Sequence, residues 1–180
     1  MKGKAKRMIS LSLVAIAAAA VALLAACEPR RDGSAEVDVT GLGQVSVSAG
    51  NWSKLYAVDG DPNTWWSADD FAPQWLALSF TEFHLVNRIE FSVSQIGEGP
   101  TEHEIWLKNG PEEFTLYAEL VNSSTSDQDV LAGVVFPPKS ATGVRITTRQ
   151  AQGWVALREV RVFSLKFSFN AEQMGISQSW

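Results

Sequence analysis

One cysteine, two histidines and a shortage of cations narrow the chemistry before any motif is sought. A single thiol can form no internal disulfide and no multi-cysteine zinc site. The histidines are His84 and His103, and His103-Glu104 runs on into Ile105-Trp106-Leu107 without the second histidine of a zinc-protease helix. Neither a Gly-x-Ser-x-Gly elbow nor a phosphate-cradling glycine loop occurs. Asp69 and Asp70 are adjacent, and on a strand adjacent side chains point to opposite faces, so nothing marks an acid and a base at a defined separation. The chain is therefore expected not to be an enzyme. Basic residues number 15 against 20 acidic ones, and four of the 15 (Lys2, Lys4, Lys6, Arg7) fall in the first 27 positions. The remaining 11 against 20 leave a body of about −9, which lacks the basic footprint needed to hold phosphates; nucleic acid is not an expected partner. A full membrane span is missing too. The apolar stretch Leu11–Ala26, broken only by Ser12, covers 16 residues where a bilayer needs roughly 20.

What the first 27 residues do have is a basic start, an apolar middle and small residues at the end, the pattern of a secretory signal peptide. Leu24-Ala25-Ala26-Cys27 resembles the lipobox of bacterial lipoproteins. That resemblance implies that Cys27 becomes the first mature residue and carries a diacylglycerol on its sulfur. Each buried methylene contributes about 0.8 kcal/mol, and two or more acyl chains anchor stably. An exported, membrane-anchored protein of the bacterial cell envelope is expected. Residues 28–41 are charged and contain Pro29, Gly33 and Ser34 without apolar periodicity, so they are expected to be a flexible linker.

The body alternates with period two. Val45 and Val47 alternate with serines; Ile89, Phe91 and Val93 with Arg88, Glu90 and Ser92; Phe114, Leu116, Ala118 and Leu120 with polar neighbours and Tyr117; Val144, Ile146 and Thr148 with Arg145, Thr147 and Arg149. Turn-forming clusters lie between, at 59–63, 97–100, 109–111, 122–127 and 137–140. About eight short strands without an amphipathic helix predict an all-β antiparallel sandwich or jelly roll. Phe163, Leu165, Phe167 and Phe169 suggest a last long strand running into a C-terminal extension, 166–180.

Two segments stand out. Ala57-Val58-Asp59-Gly60-Asp61-Pro62-Asn63-Thr64-Trp65-Trp66 precedes a strand at Gln74–Leu78, and Val144-Arg145-Ile146 precedes Trp154 to Phe163 with its Arg158-Glu159-Val160 core. In this order they resemble the coagulation-factor V/VIII type C (discoidin) domain of the galactose-binding-like superfamily, over residues 42–165. The resemblance implies an eight-stranded jelly roll. It also implies a structural calcium held by Tyr56, Asp59, Asp61, Thr64, Arg158 and Glu159. The turn suits the ion in its own right: Gly60 permits a bend, Pro62 stiffens it, and calcium takes six to eight hard oxygens. A plain Asp-Gly turn without metal is the competing reading. An EF-hand loop fits worse, because its sixth position is Thr64 and its twelfth Asp70.

The seven tryptophans divide by their surroundings. Trp66 and Trp75 are expected in the core. Trp52, Trp65 and Trp154 lie in loop-like polar stretches, where a flat ring can cover the C–H face of a sugar while polar groups meet its hydroxyls. Asp69, Asp70, Phe71, Arg149 and Gln152 neighbour them and complete the candidate ligand-binding set. The expectation is a non-catalytic surface module that binds a glycan; the alternative is a protein-interaction or envelope-assembly lipoprotein using the same loops.

Overall fold

A computed structural model describes residues 34–94, 97–124 and 130–167, and all its regular elements are strands or short 3-10 turns. The strands are β1 Ser34–Asp38, β2 Gln44–Val47, β3 Trp66–Ser67, β4 Gln74–Ser94, β5 Gly99–Lys108, β6 Thr115–Ser124, β7 Val130–Gln150 and β8 Ala156–Phe167. They form an antiparallel sheet ordered β1-β8-β4-β7-β5-β6, with β2 added to β4 and β3 to β8.

At 21 residues each, β4 and β7 would measure about 70 Å if straight, against a radius of gyration near 14 Å for a domain of this size. They bend. Their mutual register breaks between Ser79 and His84, opposite Gly143 and Ala141. The leg Gln74–Ser79 pairs with Gly143–Thr148 and carries β2 on its other edge, while β5 and β6 extend that layer beyond β7. The leg from His84 to Val93 pairs with Val130–Ala141 and with β8. Two layers result, an eight-stranded jelly-roll sandwich. Leu76, Leu78, Ile89, Phe91, Ile105, Ile146 and Leu157 are fully buried between them, with Trp66 closing one end. Both ends of β4 return to that same end of the sandwich, where the loops gather.

Several expectations need correction. Residues 28–41 are not linker throughout: Ser34–Asp38 is a strand on β8, Glu36 pairs with Arg88 at 2.6 Å, and the buried Val39 donates its N–H to the Val162 carbonyl. The turn signal at 137–140 falls inside β7, at its corner. Trp75 is half-buried rather than core. Leu116 is exposed because a bulge opposite Ile105 and Trp106 inserts Tyr117, which turns inward against Phe136 at 4.6 Å. Cys27, Phe169 and Trp180 lie outside the described residues.

One core group is ionisable. His103 is buried, edge-on to Phe91 at 5.0 Å, with Nδ1 3.1 Å from the Thr148 hydroxyl and Nε2 without a hydrogen-bond partner. Burial disfavours the imidazolium and pushes its pKa down to about 4. Because the folded pKa lies below the unfolded value, the unfolded chain binds more protons between the two. Stability is full above about pH 6.5 and falls as pH drops toward 4, by about 3 kcal/mol at most. The pH slope of urea unfolding in that window should shrink in His103→Leu, whatever the variant's stability at neutral pH.

Gly50 holds φ +63, and a Cβ there would sit 1.7 Å from the Ser67 carbonyl oxygen. A Cβ at Gly110, at φ +64, would meet the Phe83 ring at ordinary contact distance, 3.6 Å from Cζ and 4.0 Å from Cε1. Gly50→Ala should therefore lose more than about 2 kcal/mol in urea unfolding, and Gly110→Ala about 1 kcal/mol.

Candidate functional site

The loops at the Trp66 end enclose a cleft of about 830 Å³. Its aromatic walls follow from the strand period. Trp66 is buried, with its indole N–H donating to the Ala49 carbonyl at 3.0 Å, so Trp65 next to it must face outward. Val155 is buried in the same way, and Trp154 is turned out. Backbone bonds from Ala68 N to Val155 O (2.9 Å) and from Val155 N to Asp70 O (3.0 Å) continue the β3–β8 ladder into the loops and hold the two tryptophans on one rim. Ser53, also buried, accepts the Ser67 N–H on its hydroxyl at 3.2 Å, which ties the turn carrying Trp52 to β3.

Trp52, Trp65, Phe71 and Trp154 are 71%, 46%, 61% and 55% exposed, and all four line this cleft. The polar groups among them are few. Asp69 sits at φ 54, a left-handed turn that Asp tolerates, and accepts the Trp52 indole N–H at 3.0 Å. Gln152 packs over Gly99, where a Cβ would come within 2.6 Å of its side chain. The Arg158 guanidinium lies 5.3 Å from the Trp65 ring centroid and donates to the Pro62 carbonyl at 2.8 Å. The register Trp66↔Leu157 places Trp65 opposite Arg158, and this produces the stack. Flat apolar faces with a few hydrogen-bonding groups between them suit a ligand that carries both C–H faces and hydroxyls.

Not every expected residue arrives. Trp52, Trp65, Asp69, Phe71, Gln152 and Trp154 line the cleft, while Asp70 and Arg149 do not. The Asp70 carboxylate accepts the Phe71 N–H at 2.8 Å, and its carbonyl is spent on Val155. Arg149 stands 3.6 Å from Glu104, in a separate pocket with Glu102 and Glu119. Conversely, Ser67, Ser94 and the Arg158 side chain belong to the cleft and were not foreseen there. The Arg158 signal was the strand period itself, since Leu157 is buried and its neighbour must point out.

The Tyr56–Thr64 loop gathers oxygens beside the cleft. Thr64 Oγ1 lies 3.0 and 2.9 Å from the two Asp59 carboxylate oxygens, 3.0 Å from the Asp61 carbonyl and 3.3 Å from the Tyr56 carbonyl. One hydroxyl proton cannot satisfy all of them. Asn63 hydrogen-bonds the exposed Asp61 carboxylate through its backbone and side chain, which lowers the Asp61 pKa. Glu159 is shifted the other way: burial raises its pKa first, and the charges of Asp59 and Asp61 add to the rise. Its Oε1 is buried without a hydrogen-bond partner. Acceptors and negative charge are in surplus here and donors are short, a donor set that fits a hard cation. Among the described residues no group of three or more His, Cys, Asp or Glu side chains is placed to hold a metal, so an ion here would depend on carbonyl and hydroxyl oxygens as well.

The F5/8 type C domain model matches residues 42–160. Among solved structures, the chain is similar to the family 32 carbohydrate-binding module of Clostridium perfringens NanJ in complex with galactose, at 23% identity and a TM-score of 0.62, covering 72% of this chain and 100% of that one. A second module from the same organism, solved with GalNAc-β-1,3-galactose, aligns at 19% identity and 0.57, covering 73% and 100%. Chitosan-binding module 1 of a chitosanase/glucanase from Paenibacillus sp. IK-5 aligns at 19% and 0.55, covering 70% and 98%. No curated protein sequence matches the chain. At these identities the structural likeness speaks to the fold, and the family match spans about two thirds of the sequence. This chain belongs to the F5/8 type C domain family.

Proposed function

We propose that this protein is a non-catalytic carbohydrate-binding module, held at a bacterial membrane by lipid on Cys27 and steadied by calcium in the Tyr56–Thr64 loop. The observation that carries the reading is the convergence of four exposed aromatic side chains on one cleft, with Asp69, Gln152 and Arg158 set between them. Soluble proteins seldom leave such a cluster open without a use for it. The structural neighbours solved with galactose or a galactosyl disaccharide support a glycan ligand. Single-site binding of this kind falls in the millimolar to micromolar range, roughly −4 to −8 kcal/mol. Many copies on one surface would raise the effective affinity through multivalency. In the loop, the Tyr56 and Asp61 carbonyls, the Asp59 and Glu159 carboxylates and Thr64 would hold the ion, which supplies positive charge to an acceptor-rich corner. The Arg158 carbonyl would join them, while the Arg158 side chain lies on the cleft wall.

A glycan array followed by calorimetry on the best ligand tests the cleft. Trp154→Ala and Trp65→Ala should each weaken binding about tenfold or more, a loss of about 1.4 kcal/mol, with unfolding still cooperative. Silence across a broad array from folded protein would rule the glycan reading out.

Calcium at 100 times its dissociation constant should stabilise the fold by about 2.7 kcal/mol, read as a rise in Tm that a chelator reverses. Glu159→Gln should lose that rise. Without calcium it should be no less stable than the parent, because it removes a partly buried charge repelled by Asp59 and Asp61.

A further inference from the structure

We infer that Arg158 is a positioning residue that couples the oxygen-rich Tyr56–Thr64 loop to the Trp65 wall of the cleft. The inference rests on the cation reading of that loop and does not depend on the ligand's being a glycan. Arg158 reaches both sides: its guanidinium lies 5.3 Å from the Trp65 ring centroid and donates to the Pro62 carbonyl at 2.8 Å. Pro62 sits directly after Asp61, whose carbonyl faces Thr64 Oγ1 at 3.0 Å. Glu159, the next residue on β8, feels the charges of Asp59 and Asp61 and accepts the Gly60 N–H.

The three links form a short mechanical path. Leu157 is fully buried and paired with Trp66, so the backbone at Arg158 is fixed. The loop is not fixed in the same way: Asp59, Gly60, Asp61, Pro62 and Asn63 are all exposed, and the like charges of Asp59, Asp61 and Glu159 oppose its closing. Neutralising that repulsion draws the loop's oxygens toward one centre, and the Pro62 carbonyl moves with them. A guanidinium is a planar, rigid fork, so a shift at the end bonded to Pro62 tilts or seats the face stacked on Trp65. An ammonium on a flexible stem would take up the same shift without passing it on. By linkage the influence runs both ways, and occupancy of the cleft feeds back on the loop by the same factor.

The test uses the full-length chain in detergent and calcium alone as the probe, with Trp65→Phe as the spectroscopic blank. Acrylamide quenching of Trp65, taken as the difference from that blank, should fall about twofold when calcium is added. In Arg158→Gln calcium should still raise Tm, while the change at Trp65 disappears. Arg158→Lys keeps a donor for Pro62 and guards against a folding defect in the first variant; in it the Trp65 change should fall by more than half. A calcium-dependent Trp65 signal that survives in Arg158→Gln overturns the coupling, and so does a wild-type Tm rise with no change at Trp65. If calcium leaves the wild-type Tm unmoved, the cation reading fails and takes the coupling with it. The glycan reading stands or falls separately, since no sugar enters the experiment.

Discussion

The burial of Trp66 is the constraint on which the cleft depends. A tryptophan removes on the order of 150–250 Å² from water, about 4–6 kcal/mol of hydrophobic stabilisation, and here the indole N–H also finds the Ala49 carbonyl. With Trp66 held inward and paired to Leu157, little freedom is left to its neighbours. Trp65 must point out, Arg158 must stand opposite it, and the chain after Ser67 must run along Val155 far enough to bring Trp154 to the same rim. One buried ring therefore sets three outward-facing groups. Polar atoms hold the far wall: Ser53 on Ser67, and Asp69 on the Trp52 indole.

That arrangement makes the cleft largely preformed. Its loops are tied by backbone bonds rather than left to be ordered by a ligand, and a site of this kind spends less of its interaction energy on immobilising itself. The Tyr56–Thr64 loop is the exception. Its other side-chain bonds are short-range, within the loop, and β8 reaches it through Arg158 on the Pro62 carbonyl and through Glu159, which accepts the Gly60 N–H. The least braced part of the site thus lies beside the most rigid part, with Arg158 touching both and Trp52 edge-on to Tyr56 at 6.4 Å.

Much of the fold was legible because alternation survives wherever a strand has one wet face. Val45 and Val47, the Ile89–Val93 leg of β4 and the Val144–Thr148 leg of β7 all read correctly. The failures have physical causes. The first leg of β7 carries exposed Leu131 and Val135, so its outward face does not look polar. The bulge at Tyr117 shifts the phase of β6, which hydropathy cannot reveal because Leu116 and Tyr117 are both apolar enough to be core. Strand β1 is secured by partners about 50 and 120 residues away, Arg88 and β8, and nothing local in Ser34–Asp38 announces them. For the site, the distinction between inward and outward aromatics could be read from polar neighbours. Which loops meet could not, since the meeting of Trp65 with Arg158 is decided by a strand register spanning more than 90 residues.

The charges in the cleft bear on what it selects. It is lined by one cation, Arg158, and one anion, Asp69, each engaged with a tryptophan, on a chain whose formal net charge is −5. The two opposite charges offset each other beyond a Debye length of about 8 Å, so the field felt outside the cleft is that of the net negative chain around it. The surrounding negative charge disfavours an anionic ligand. Selection then falls to contact: the shape of an apolar face against the rings, and the placing of hydroxyls against a carboxylate, an amide and a guanidinium. Such contacts discriminate well between stereoisomers, because a misplaced hydroxyl leaves a polar group unpaired at a cost of about 1–3 kcal/mol. They add little total affinity. On the glycan reading proposed above, selectivity would come from each contact and strength from the number of contacts made at once.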